Sequence, residues 1–281
     1  MQWRCFLAKR IIIGLVLTVV FFTLANRISV NRPREIDELH GDLRVSHTTV
    51  FEQVGPGQPS VELLLSPQVE VPPRVVYRIP GSGQAVTDEM LKTGEETWSA
   101  ELPDLGKGKS IHYSFEITDD KGNVSRLPGE LSGFFTLKYK GVVSTFLIVL
   151  HIIFMFGAFF FMTESFLTAL EVIRGRGEKQ MVVLMTRWVV ALTFIGGWPL
   201  GFMLNHQRFG VLWEGFPFGY DITDNKTQLM FVFWLIIVLL SWGSFTGRGE
   251  KYDLSGPRSY AAAVIVSFII SLAIFLIPHS L

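Results

Sequence analysis

The 281-residue chain contains a single cysteine, Cys5. One thiol excludes an internal disulfide and any metal site built from several cysteines. Charge is scarce as well: Asp, Glu, Lys and Arg make up 18% of residues, and the net charge is zero. No segment carries the dense run of Lys and Arg that would neutralise phosphates, which argues against nucleic acid as a partner. The signatures of common catalysts are missing too. There is no Gly-x-Gly-x-x-Gly loop, no Walker motif, no His-Glu-x-x-His and no Gly-x-Ser-x-Gly elbow. Residues 31–140 hold no set of His, Asp and Ser at catalytic spacings, so no enzymatic activity is expected. Transport has little to support it, because no pair of interrupted helices is evident and only one ionisable residue lies near mid-span.

Apolar residues are abundant, at 49%, and they are segregated into runs. The first, Ile11 to Ala25, follows Arg4, Lys9 and Arg10. That pattern reads as an uncleaved signal anchor over residues 1–30, with a cleaved signal peptide as the alternative. Cys5, beside it, is either a palmitoylation site or an inert thiol. Four further runs, Val142 to Leu167, Met181 to Leu204, Leu229 to Trp242 (extendable to Phe245) and Tyr260 to Ile277, approach the length needed to cross ~30 Å of hydrocarbon. Backbone groups in lipid must bond internally, so each is expected to be a helix. Arg187, inside the third run, is expected to snorkel back to the nearer face.

The pentapeptide Gly-Arg-Gly-Glu-Lys occurs twice, at Gly175 to Lys179 and Gly247 to Lys251, each time in a polar gap between apolar runs. The spacing suggests two related helical hairpins turning on one side of a membrane. Lys and Arg assign the side. The N-terminal tail and the two repeat loops hold nine (Arg4, Lys9, Arg10, Arg174, Arg176, Lys179, Arg248, Lys251, Arg258), whereas the loop at 205–228 holds two, Arg208 and Lys226. The expected setting is a bacterial inner membrane. There the N-terminus is cytoplasmic, and residues 31–140 and the C-terminus are periplasmic. Arg176 and Arg248 would either hold lipid phosphates or belong to plain solvated turns.

Between the first two runs the period changes to two. Ile111, Tyr113, Phe115 and Ile117 alternate with polar residues, as do Val75, Tyr77 and Ile79, and Val61, Leu63 and Leu65. Turn signals fall at Pro56-Gly57, Gly81-Ser82-Gly83 and Asp120 to Asn123. The string Thr97-Trp98-Ser99-Ala100-Glu101-Leu102-Pro103, then Gly106, Gly108 and His112 to Asp119, resembles the later strands of fibronectin type III and related immunoglobulin-like sandwiches. The resemblance covers about residues 45–138, roughly a third of the chain. It implies a two-sheet sandwich that binds or spaces, and no catalysis.

Three histidines are candidate contacts for haem b or quinone. Aligning the hairpins at an offset of 72 residues brings His206 and His279 to similar depth, and paired histidines on neighbouring helices ligate haem. Both equally suit a lipid–water boundary. His151 lies two to three turns inside its run, with Met155 and Met162 on the same face. It is read as an interhelical hydrogen bond, a haem or quinone contact, or a copper ligand. The loop His206 to Gln228 interleaves Phe209, Trp213, Phe216, Phe218 and Tyr220 with glycines and Pro217. Such aromatics serve as anchors for a partner subunit, as a membrane-surface loop, or as a cofactor lid. Thr223 or Asp224 is the expected N-cap of the next helix, and Gly196-Gly197-Trp198-Pro199 predicts a kink or close approach.

The expected fold is therefore a membrane protein of α plus β class. It has five transmembrane helices (an anchor plus a four-helix bundle of two related hairpins, 141–281) and an extracytoplasmic immunoglobulin- or fibronectin-like sandwich over 31–140. The expected role is a non-catalytic accessory subunit of a larger membrane complex. The partners would be other membrane subunits and the lipid bilayer, with a haem- or quinone-binding electron-transfer subunit as the alternative.

Overall fold

Alternating and helical periodicities build two separate units. A computed structural model describes residues 2–29, 32–129 and 133–277, apart from the side chains of residues 2–10, 26 and 29. Its contacts group residues 32–143 with 207–211, and residues 1–31 with 144–206 and 212–281.

The first unit is a β-sandwich-like domain. Its strands are β1 (Glu35–His40), β2 (Leu43–Thr48), β3 (Glu52–Val54), β4 (Ser60–Ser66), β5 (Arg74–Arg78), β6 (Ala85–Glu89), β7 (Leu91–Lys92), β8 (Thr97–Glu101), β9 (Ser110–Thr118), β10 (Val124–Leu127) and β11 (Phe135–Lys140). One sheet runs β1-β2-β4-β8-β7; the other runs β3-β11-β9-β5-β6, with β10 also on β9. Every pair is antiparallel except β3 with β11. This arrangement is consistent with an immunoglobulin-like sandwich. The first strand starts at Glu35, ten residues ahead of the stretch that carries the resemblance.

The alternation decides the core, because successive side chains of a strand point to opposite faces. Val61, Leu63 and Leu65 of β4 and Ile111, Tyr113, Phe115 and Ile117 of β9 are all fully buried. At the centre, buried His47 places Nδ1 2.7 Å from the Glu62 carbonyl and Nε2 3.0 Å from the Tyr113 hydroxyl. The Val50 amide donates to that same hydroxyl at 3.1 Å. Burial pushes the His47 imidazole below its ordinary value, against the pull of the Glu62 carbonyl.

The second unit is helical. Helix α1 (Gln2–Ser29) is followed by α2 (Thr145–Ile173), α3 (Lys179–Ile195), a π-helical turn (Gly196–Leu200), α4 (Gly201–Phe209), α5 (Ile222–Leu240), α6 (Trp242–Thr246) and α7 (Pro257–Leu276). Among the described residues, four stretches are long and apolar enough to cross a membrane: Thr145–Ile173, Lys179–Phe209, Ile222–Leu240 and Pro257–Leu276. In α1 the apolar part, Ile11–Ala25, is shorter; at ~1.5 Å per residue its fifteen residues reach ~22 Å. Phe21 stacks on Phe159 of α2 at 4.6 Å and Phe22 on Phe156 at 3.9 Å. The buried centre of the bundle includes Phe159, Met162, Trp234 and Phe268, and the Trp234 indole donates to Ser271 at 3.0 Å.

The repeated pentapeptide has a local cause. In each copy the first glycine adopts positive φ, +72° at Gly175 and +79° at Gly247, a conformation that costs residues with a Cβ. Gly175 N donates to Val172 O and Arg176 N to Glu171 O; Gly247 N donates to Ser244 O and Arg248 N to Gly243 O. Both are Schellman caps, which satisfy the last carbonyls of a helix. Beyond that the copies diverge. Glu178 leads straight into α3, whereas Glu250–Tyr252 forms a 3-10 turn before α7.

Several expectations change here. The apolar run extendable to Phe245 is interrupted at Ser241, whose φ of −121° separates α5 from α6. The cap of α5 is Asp221, whose side chain accepts from the amides of Thr223 and Asp224; neither Thr223 nor Asp224 takes that position. Asp221→Ala is expected to cost about 1 kcal/mol. Faster hydrogen exchange at the Thr223 and Asp224 amides would report the loss, and unchanged exchange would contradict the cap. Pro199 ends its i−4 ladder in a π-turn, so the predicted irregularity at Gly196 to Pro199 is present.

Candidate functional site

At the end of the helical unit that carries the repeated turns, Lys179 is buried, although the sequence reading counted it among solvated loop cations. Its ammonium bonds Asp253 Oδ2 and the Ser255 carbonyl, each at 2.6 Å, and lies over the Tyr260 ring. The two side chains are 2% and 1% exposed. Asp253 also accepts from Ser244 N at 2.7 Å and Ser244 Oγ at 2.6 Å. Burial alone would push the Asp253 carboxyl up, but Lys179 and Ser244 outweigh it and hold the group below its ordinary value. Arg187 reaches across to α6. Its guanidinium donates to the Ser244 carbonyl at 2.8 Å and stacks on Phe245. The pair links the start of α3 to the loop before α7 and so ties the two hairpins together.

A second polar group surrounds a cavity of about 170 Å³ among α2, the π-turn, α4, α5 and α7, lined by His151, Met155, Asn205, Asp224, Lys226 and Phe275 among others. His151 is six residues into α2, less than two turns, and so nearer the helix start than expected. Its Nδ1 lies 3.0 Å from the Gly196 carbonyl, a group the π-turn presents. A carbonyl only accepts, so Nδ1 carries the hydrogen and, in the neutral ring, Nε2 is an acceptor. Asp224 accepts from Asn205 Nδ2 at 3.0 and 3.1 Å and from the Glu214 amide at 2.7 Å. Lys226 is buried and donates to the Ile277 carbonyl.

Of the two candidate histidines among the described residues, only His151 lines this cavity. His206 is exposed near the end of α4 and is not among the lining residues. His279 lies outside the described residues. The cavity, at about 170 Å³, is below the ~300 Å³ at which sites for drug-sized ligands begin. Sequence reasoning missed Asn205, Asp224 and Lys226 as one set, having treated them as a helix end, a cap and a loop charge. The signal was the cap: starting the helix at Asp221 puts Thr223, Asp224, Thr227 and Met230 at three- and four-residue spacings on one face.

The aromatic loop divides. Trp213 stacks on Trp198 at 6.1 Å and 12°, with Phe202 edge-on. Phe209 is half-buried and its carbonyl lies against Gly108, within the sandwich unit. Phe216, Phe218 and Tyr220 are 64%, 84% and 91% exposed. The backbone carrying them is held: Phe216 N donates to Asn225 Oδ1 at 2.7 Å, Phe218 N and Gly219 N to Gly215 O at 3.0 Å, and Asp221 N to Glu214 O at 2.9 Å. Arg176 and Arg248, the candidate lipid contacts, are both exposed.

The class these observations define is a chain joining a β-sandwich-like domain to four helices long and apolar enough to cross a membrane. No protein-family model and no curated protein matches it. Among solved structures, one described as "Crystal structure of Br derivative BhCBM56" is similar at 19% identity, covering 36% of this chain and 95% of that one. Its TM-score of 0.24 is too low to carry an argument from that protein to this one.

Proposed function

We propose that the chain is a non-catalytic accessory subunit of a larger complex in a bacterial inner membrane. The observation that carries this reading is the trio Phe216, Phe218 and Tyr220, exposed on a loop whose backbone is already braced. Large aromatics dominate interface energies, and a loop held in place beforehand loses little freedom on binding. Left in water, such a cluster is a liability. The distribution of Lys and Arg supports an orientation with the sandwich and this loop outside the cytoplasm, with α1 as a fifth crossing that packs on α2 through Phe21 and Phe22. Arg176 and Arg248 then face anionic lipid on the cytoplasmic side. An immunoglobulin-like sandwich suits a subunit that binds or spaces.

The test is purification of the full chain from its membrane in mild detergent. The expected result is an assembly larger than the monomer, which the combined variant Phe216→Ala, Phe218→Ala, Tyr220→Ala dissociates. Exposed sites contribute little to the fold, so the variant's own unfolding free energy is expected to stay within about 0.5 kcal/mol per site. A monodisperse monomer with nothing co-purifying would overturn the reading.

A further inference from the structure

We propose that the cavity lined by His151, Asn205, Asp224 and Lys226 binds the ring head group of a membrane quinone. This goes beyond the accessory role and does not depend on it. Four observations converge. The first is size: about 170 Å³ holds several waters at ~30 Å³ each, or one substituted ring.

The second is charge. Lys226 and Asp224 bring opposite charges to one buried wall, and Asp224 is already engaged by Asn205 and the Glu214 amide. A wall with no net charge gives no advantage to an anion or a cation, so it fits a neutral ligand.

The third is the pattern of donors and acceptors. The Lys226 ammonium has three N–H groups, of which the Ile277 carbonyl takes one. With Nδ1–H committed to the Gly196 carbonyl, His151 Nε2 is an acceptor. The site thus combines a strong donor with an acceptor. An oxidised quinone presents carbonyls to the donor, and the reduced quinol presents hydroxyls to the acceptor. The oxidised ring satisfies the donor, and the quinol, whose hydroxyls both donate and accept, satisfies donor and acceptor together.

The fourth is access. The cavity lies among helices long and apolar enough to cross a membrane, and Met155, Met230 and Phe275 form its apolar side. A ligand arriving from the bilayer is amphipathic, with a polar head and an apolar tail. The inference concerns binding alone.

The full-length protein in mild detergent, titrated with decylubiquinone by calorimetry, is expected to show saturable binding at one site. His151→Phe and Lys226→Met each remove one polar partner, and each is expected to weaken binding at least tenfold. Because Lys226→Met risks misfolding, a third variant leaves every polar group in place. Gly201 lines the cavity, and a Cβ there would meet only the Gly196 carbonyl within 4 Å, at 3.6 Å. Gly201→Leu is expected to fill the space and abolish binding while the thermal unfolding midpoint holds. Lys251→Gln, an exposed loop residue, serves as the unchanged control. Non-saturable uptake, or wild-type affinity in both His151→Phe and Gly201→Leu, overturns the proposal. So does stoichiometric recovery of a phosphate-bearing lipid from the purified protein in place of quinone. The variant lacking Phe216, Phe218 and Tyr220 side chains is expected to bind decylubiquinone normally, which separates failure of this proposal from failure of the accessory reading.

Discussion

Asp253→Ala is expected to destabilise the helical unit by about 3–5 kcal/mol, because it leaves the Lys179 ammonium buried without its counter-charge. The same change strands Ser244, whose amide and hydroxyl both donate to the lost carboxylate. Removing both charges is a different matter. In Lys179→Met with Asp253→Leu no buried ion remains, and the double variant is expected to recover most of the loss. Denaturant titration in a fixed detergent, followed by tryptophan fluorescence, would read all three proteins. A single variant as stable as wild type would show that water reaches Lys179 and that the pair is not a dry tie between hairpins. The acid response follows from the direction of the shift. Asp253 is held below its ordinary value of 3.8 in the folded chain. Its contribution is therefore complete above that value and is lost as pH falls through the depressed folded one.

In the sandwich, Tyr113→Phe is expected to cost about 2–4 kcal/mol, since each stranded buried polar group costs ~1–3 kcal/mol. Two are stranded here, His47 Nε2 and the Val50 amide, while the ring stays and no cavity opens. Hydrogen exchange of the β9 amides in the full chain would measure the change locally. Exchange at the wild-type rate would mean that another group replaces the hydroxyl. The imidazole next to it makes the sandwich sensitive to acid. The folded His47 value lies below the ordinary 6.5, so the unfolded chain binds the proton first. Stability from this group is full above pH 6.5 and declines as pH falls through the lower folded value. His47→Gln would flatten that decline.

Much of this architecture was legible in the chain. A period of two at 61–65, 75–79 and 111–117 can bury one face only in a sheet, and those residues form the sandwich core. Long uncharged apolar runs can satisfy their backbone in lipid only as helices, and four such helices are present. The loop aromatics were legible as a composition, but not the division of Trp213, which packs on Trp198, from Phe216, Phe218 and Tyr220, which stay exposed. The capping position at Asp221 was misread by two or three residues. That small displacement hid Asp224, because it moves the residue from the cap onto a helix face.

The sequence by itself determined the β-sandwich-like strands and the four helices long and apolar enough to cross a membrane, since these rest on local periodicity and hydropathy. Tertiary structure alone decided which polar groups meet. Lys179 and Asp253 are separated by 74 residues, as are Thr186 and Tyr260, and His151 finds its carbonyl 45 residues on. No local pattern encodes such pairings. They arise because buried charges and hydrogen-bonding groups must find partners wherever helix packing brings them together, and packing is a property of the whole bundle.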